Sequence, residues 1–296
     1  MKKKKSGATY FNKSKSEKVV FTIAFVIFVI YAFTLLYPLI WLLTNSVKHN
    51  FQFTKELSKI LSLPRAPYGW QFGNYVKAFE GINYNDTNFF GMFFNSIWYC
   101  LVSIAINMFV SACTGYILSK YKFKARNFIY ATAIICMTLP IFGTGGASYT
   151  FYYKTGLYDT PFFVMVTSLG AFGSRFLMLY GFFKSVSWEY AEAVFIDGGG
   201  DFTVFFRIML PLAMPMIMAL SITGFIQLWN TYETLIIYMP SYPTIAVGLY
   251  EVRESFTNDR PVYFASMIIS IIPVVALFIA FSDIIMNNIS IGGLKG

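Results

Sequence analysis

Long apolar runs alternate with polar stretches along this chain. Averaged over a window of about 19 residues, the runs fall near 19–45, 92–118, 127–147, 161–183, 211–238 and 262–287. Each approaches the ~20 residues that an α-helix needs to cross a bilayer. The pattern therefore predicts an all-α membrane protein with six transmembrane helices and both termini on one side. It divides the chain into a basic tail over 1–18, a first span with an external segment over 19–91, a transmembrane domain over 92–287, and a short tail over 288–296.

Two polar stretches change that picture. Residues 47–91 carry Pro64, Pro67, Gly69, Gly73 and several aromatics, and are too polar to cross. A structureless connection of that length is uncommon, so short helices along the outer interface are expected, anchored by Trp70, Phe72 and Tyr75. A contact surface for an external partner is a second reading. Further on, Phe142 to Gly146 is glycine-rich, and Lys154 and Asp159 interrupt the aromatic run that follows. That stretch is expected to be an external loop; the alternative is a broken helix lining a cavity, where irregular backbone is tolerated at membrane depth.

Composition agrees with a bilayer. The 296 residues are 56% hydrophobic, 20% aromatic and 12% charged, whereas soluble domains carry roughly 25% charge. The net charge of +9 does not point to nucleic acid, because seven lysines lie between Lys2 and Lys18, ahead of the first run. Together with Lys120, Lys122, Lys124 and Arg126, they mark cytoplasmic ends. The first run, from Val19 to about Leu43, exceeds the apolar core of a cleavable signal and should remain as a span.

Chemistry is sparse. Cys100, Cys113 and Cys136 sit in apolar runs as small hydrophobes, and His49 is the only histidine. No metal centre, catalytic residue or bound cofactor is expected. The external charges Glu251, Arg253, Glu254, Asp259 and Arg260 read as a solvated loop, with docking of an external protein as the alternative.

The exception is Glu192 to Pro215, a polar, helix-prone segment between two apolar runs. Ser187 is placed to cap a short helix whose first turn favours the acids Glu189 and Glu192. Gly198, Gly199 and Gly200 end it, and Asp197 is placed to bond to the turn. Phe202, Phe205, Phe206, Met209 and Leu210 then recur at helical spacing. Pro211 and Pro215 are expected to bend the chain where the fifth span begins. An amphipathic interfacial helix without a partner is the plainer reading.

The spacing Glu192-Ala193-Val194, three residues, Gly198, nine residues, Ile208, Leu210, Pro211 resembles the EAA loop of binding-protein-dependent ABC importer permeases, with Val194 in place of the second Ala. Weaker similarities point to the carbohydrate group, of the maltose-type second permease subunit. They are Phe94-Asn95-Ser96, Gly156-Leu157 with Thr160, Trp229-Asn230, and the ending Gly292-Gly293-Leu294-Lys295-Gly296.

The resemblance implies half of a translocation pathway in a bacterial cytoplasmic membrane. Its partners would be a second permease, two cytoplasmic ATPase subunits and an extracytoplasmic solute-binding protein. ATP and Mg would be bound by the ATPase, since this chain has no Walker A loop. Within loop 186–211, Glu189, Glu192, Ala193, Asp197, Gly198, Ile208, Leu210 and Pro211 would couple to that ATPase. Alternating access would carry a carbohydrate, by family analogy an oligosaccharide. Tyr99, Asn107, Tyr116, Gln227, Trp229, Asn230, Tyr232 and Glu233 are the candidate contacts along the path, with packing as the alternative for each. A permease for another solute class, an ATP-independent secondary transporter, and a membrane enzyme are the rival readings. Arg175 and Asp283 read as structural or surface-reaching charges.

Overall fold

The computed structural model describes residues 15–57, 59, 61–139 and 143–289, with 15 and 283–289 described by backbone alone. The Gly-Gly-Leu-Lys-Gly ending and the side chain of Asp283 thus lie outside the described residues. Helix α1 (Lys15–Ser46) is apolar all round and exposed along most of its length. A helix of that kind needs an apolar solvent on its faces. It touches the rest mainly through α14 (Arg260–Ile289), where Trp41 meets Phe264 edge-on at 5.2 Å.

The expected interfacial elements follow. They are α2 (Asn50–Lys55), α3 (Gly73–Gly81), and a small antiparallel pair, β1 (Asn83–Tyr84) with β2 (Thr87–Asn88), in which Tyr84 faces Thr87. His49 accepts from the Phe51 amide at 3.2 Å, so the single histidine is a helix cap. Trp70 and Phe72 stack in the open at 6.1 Å, as befits interface anchors. Tyr75 instead exchanges a 2.8 Å hydrogen bond with Ser46 at the end of α1.

A buried acid holds this segment together. Glu56, 6% exposed, accepts from Gln52 at 3.1 Å, from Lys59 at 3.1 Å and from Arg65. Hydrogen bonding from Gln52, helped by the cations, holds its carboxyl near 2 rather than 4.5. Nearby, Lys48 is 2% exposed and donates to Asn45 at 2.8 Å and to Ser62. Burial lowers its pKa, with Glu56 opposing.

The transmembrane part centres on α4 (Phe89–Lys120), which packs on α8 (Ser174–Ser185), α11 (Leu210–Trp229) and α7 (Pro161–Ser168). At the tightest crossing, a β-carbon on Gly115 would lie 3.0 Å from the Tyr180 amide nitrogen. Small residues admit such backbone approach in membrane bundles. Four described helices are long and apolar enough to cross a membrane: Ser16–Ser46, Phe89–Lys120, Asp201–Trp229 and Arg260–Ser282.

The other predicted runs are broken. Run 127–147 becomes α5 (Arg126–Thr138) and the start of α6 (Gly145–Lys154), so a helix stands where a loop was expected. Run 161–183 splits into α7 and α8 around Leu169–Gly173, beside Gly170 and Gly173. Run 211–238 splits into α11 and α12 (Glu233–Tyr238) around Asn230 to Tyr232. Hydropathy averaging merges such pieces because the breaks are short against a window of about 19 residues.

Glu56→Gln is expected to raise amide exchange across α2 and up to Arg65 while leaving α4 unchanged. Acid should act alike. The folded carboxyl is held below its ordinary value, so its stabilisation is complete above pH 4.5 and is lost as pH falls toward 2. Exchange that is indifferent to the substitution would show that the carboxylate does not hold the segment.

Candidate translocation cavity and coupling segment

Polar residues in a membrane bundle face the interior or a water-filled space, and here they converge on a cavity of about 390 Å³. Tyr99, Ser103 and Asn107 form its α4 wall, one turn apart on a single face. The same i, i+4 spacing supplies Ser148 and Tyr152 from α6, Phe163 and Thr167 from α7, and Thr234 and Tyr238 from α12. Ser168, Arg175 and Leu228 complete it. Three rings make one wall. Tyr238 stacks on Phe163 at 5.3 Å, and Tyr152 meets Phe163 and Tyr238 edge-on at 5.0 and 5.3 Å.

Another part of the lining is built around the break between α7 and α8. Its carbonyls have lost their helical partners, and the Asn107 amide replaces them by donating to Ser168 O at 3.4 Å and Gly170 O at 3.1 Å. The Asn107 carbonyl accepts from Arg175 at 3.1 Å, and Arg175 donates again to Gln227 at 3.3 Å. On the outer rim of the ring wall, Asp159 accepts from the Ser241 amide at 3.0 Å and hydroxyl at 2.6 Å, so the α6–α7 turn is pinned to the end of α12.

Of the eight residues expected along the path, Tyr99 and Asn107 line this cavity and Gln227 reaches it through Arg175. Trp229 is 4% exposed and packs as core, stacked on Phe225 at 5.4 Å with its indole donating to Ser270 O. Asn230 caps α11, Tyr232 stacks on Tyr250 at 4.5 Å, and Glu233 is exposed in the first turn of α12. Tyr116 belongs to a separate apolar cluster with Phe183, Phe205 and Met209, at the far end of α4. Their type suited the role, but the helix face decides, and only 99, 103 and 107 share it. Arg175 was missed as a lining residue because a single arginine within an apolar run reads as a structural pair or as a charge reaching for the surface.

The segment that resembles a coupling loop forms a short helix, α9 (Glu189–Ile196). Ser187 accepts from the Glu189 amide at 3.2 Å. The end is closed by Gly199 N–H to Val194 O at 2.8 Å and Gly198 N–H to Phe195 O at 3.1 Å, with Gly198 at φ +79°. Those paired bonds and the left-handed glycine make a Schellman closure. Ala191 faces the core, whereas Glu189, Glu192, Ala193 and Asp197 are exposed. Sequence reasoning overlooked the apolar companions Tyr190 and Ile196, which are also exposed, Ile196 by 86%, as is Phe202 from the helical stripe that follows.

Pro211 does not interrupt the helix. The chain stays helical from α10 (Asp201–Thr203) through a π-type stretch, Val204–Met209, into α11. There Leu210 N–H bonds to Phe205 O, five residues back. One extra residue in that turn takes up the missing proline donor and the crowded carbonyl that would otherwise kink the helix. Ile208 and Leu210 are half-buried in this stretch and Pro211 is exposed.

The end of α4 grips the coupling segment from both sides. Lys120 donates to Val186 O, and the Tyr121 ring meets Trp188 edge-on at 5.8 Å. Tyr121 Oη donates to Asp201 at 2.6 Å and shares a 3.2 Å bond with Tyr116. Burial and the Asp201 acceptor push the phenol up, so it remains a donor at neutral pH.

This arrangement, cavity at one end of α8 and short exposed helix at the other, is that of a transport permease. The chain belongs to the family of binding-protein-dependent transport system inner membrane components, whose model matches residues 111–290. It is a multi-pass permease subunit of the cytoplasmic membrane. Among curated relatives, it is 27% identical over 95% of its length to the diacetylchitobiose uptake system permease protein of Streptomyces coelicolor, 91% of which is covered. It is 26% identical over 96% of its length to an arabinooligosaccharides transport system permease protein of Halalkalibacterium halodurans, all of which is covered. The fold matches a subunit of a bacterial ABC transporter that imports the acidic polysaccharide alginate. That match has a TM-score of 0.72 at 19% identity, covering 92% of this chain and 98% of the other.

Tyr121→Phe keeps the ring against Trp188 but deletes the donor to Asp201. The expected loss is about 1–2 kcal/mol of local stability, read as faster amide exchange from Asp197 to Thr203. Asp201→Asn, made alone, keeps an acceptor for Tyr121 and should lose much less; equal exchange in the unaltered protein and both variants would contradict the clamp.

Proposed function

We propose that this chain forms half of the translocation pathway of an ATP-driven importer for a carbohydrate, by analogy an oligosaccharide. The observation that carries the reading is that the rings of Tyr152, Phe163 and Tyr238 line one cavity with the hydroxyl and amide groups of Ser103, Asn107, Ser148 and Thr167. Aromatic faces suit the C–H faces of sugar rings, and short polar side chains suit their hydroxyls. The named cargoes of the relatives, diacetylchitobiose and arabinooligosaccharides, support it.

On this reading the chain makes six crossings, with α5 and the broken α7–α8 unit as the third and fourth. Both termini and α9 then face the cytoplasm. Glu192, Gly198 and the exposed Ile196 seat α9 in a cleft of an ATPase subunit, which binds the ATP and Mg. A homologous permease supplies the other half of the path, and an external binding protein delivers the sugar. Closure of the ATPase pair draws the coupling helices together and exposes the cavity outward; hydrolysis reverses it.

Gentle solubilisation should recover a second permease, an ATPase and a binding protein with this chain, and sugar should stimulate ATP hydrolysis. Glu192→Arg and Gly198→Ala are expected to leave insertion intact and to cut that stimulation by about tenfold or more, as loss of a central contact does. Assembly and stimulation unchanged in both variants would sink the coupling assignment. Recovery of the chain without any ATPase would sink the importer itself.

A further inference from the structure

We infer that Arg175 makes this cavity a site for an acidic saccharide, a sugar whose ring carries a carboxylate. The inference rests on the carbohydrate reading and narrows it. Arg175 opens α8, a helix of 12 residues, so it stands roughly 18 Å along the helix axis from α9, which on the proposed topology sets it within a ~30 Å hydrocarbon core. Its guanidinium is held rather than free. It donates to Asn107 Oδ1 at 3.1 Å and Gln227 Oε1 at 3.3 Å. It also lies against Gly224, where a β-carbon would come within 2.8 Å of Nη2. Three helices thus fix its place: α4 through Asn107, α11 through Gln227 and Gly224, and α8 through its own backbone.

Both acceptors are neutral amides, which orient a guanidinium without neutralising it. Of its five N–H donors, these bonds engage two and leave three. Among the described residues it joins no ion pair, and no carboxylate lines the cavity. A fixed positive charge at membrane depth is costly unless it meets an anion. The planar fork matches a carboxylate with two parallel bonds, and the ring wall of Tyr152, Phe163 and Tyr238 lies across the same cavity. A uronate ring satisfies both features at once, with its face on the aromatics and its carboxylate on Arg175.

The test compares trigalacturonate with its neutral trimethyl ester, two probes alike in ring and linkage. Binding is measured on the assembled permease–ATPase complex in lipid nanodiscs without the binding protein. The acid should bind about tenfold or more tighter than the ester, the range expected of a charge-assisted pair. High salt should shrink that ratio, Arg175→Gln should bring it near one, and Arg175→Lys should keep part of it. If Arg175→Gln does not assemble, the salt titration on the unaltered complex decides alone. Equal binding of acid and ester, a salt-independent preference, or a preference that survives Arg175→Gln overturns the assignment and leaves the carbohydrate reading standing. Failure of the acid, the ester and neutral oligosaccharides alike to bind overturns both.

Discussion

Everything in the cavity depends on how a broken helix is tolerated inside a membrane. A peptide group left unpaired in hydrocarbon costs roughly 2–7 kcal/mol, so irregular backbone survives at that depth only beside polar side chains or water. Asn107 meets the requirement by donating to Ser168 O and Gly170 O. The same side chain then accepts from Arg175, so one amide both repairs the break and orients the charge that follows it. A leucine at 107 would leave both carbonyls and the guanidinium short of a partner. The helix break and the polar site are thus two aspects of one interaction.

Much of the architecture was legible in the sequence, for physical reasons that differ by element. α1, α4 and α14 are long and apolar, so averaging finds them within a few residues. α9 was legible because its signals are local: Ser187 at the start, acids in the first turn, Gly198 at the end. The breaks in runs 161–183 and 211–238 were not, since they are tertiary facts. Leu169–Gly173 stays open only because Asn107, more than 60 residues earlier, covers it. Pro211 carries a real local conflict with the preceding turn, and hydrogen bonding five residues back lets the helix run on through it.

The candidate site was half legible. Tyr99 and Asn107 stood out by residue type, yet so did Trp229 and Tyr116, which are core. What separates them is the face they occupy. A stripe of Tyr99, Ser103 and Asn107 along α4 was readable as periodicity, and Ser103 would have been found by it. The Ser148–Tyr152 and Thr234–Tyr238 pairs show the same spacing, but they sit on helices too short for the pattern to announce itself.

Between the two functional ends, stiffness is a matter of which contacts span which gaps. α8 runs from Arg175 to the entry of α9 without interruption. α4 runs beside it with backbone nearly touching at Gly115 and grips the loop through Lys120 and Tyr121. On the proposed function, a displacement of α9 would be carried by α4 and α8 together to Asn107 and Arg175. The ring wall is attached differently, because Tyr152, Phe163 and Tyr238 lie beyond the breaks at Leu169–Gly173 and at Asn230 to Tyr232, on pieces pinned to one another by Asp159 and Ser241. Movement of one wall relative to the other is then a rotation at two short non-helical joints, which costs far less than deforming a packed helix pair. Both joints border the cavity, so on the proposed function they are where a push on α9 would become a change in the cavity's width.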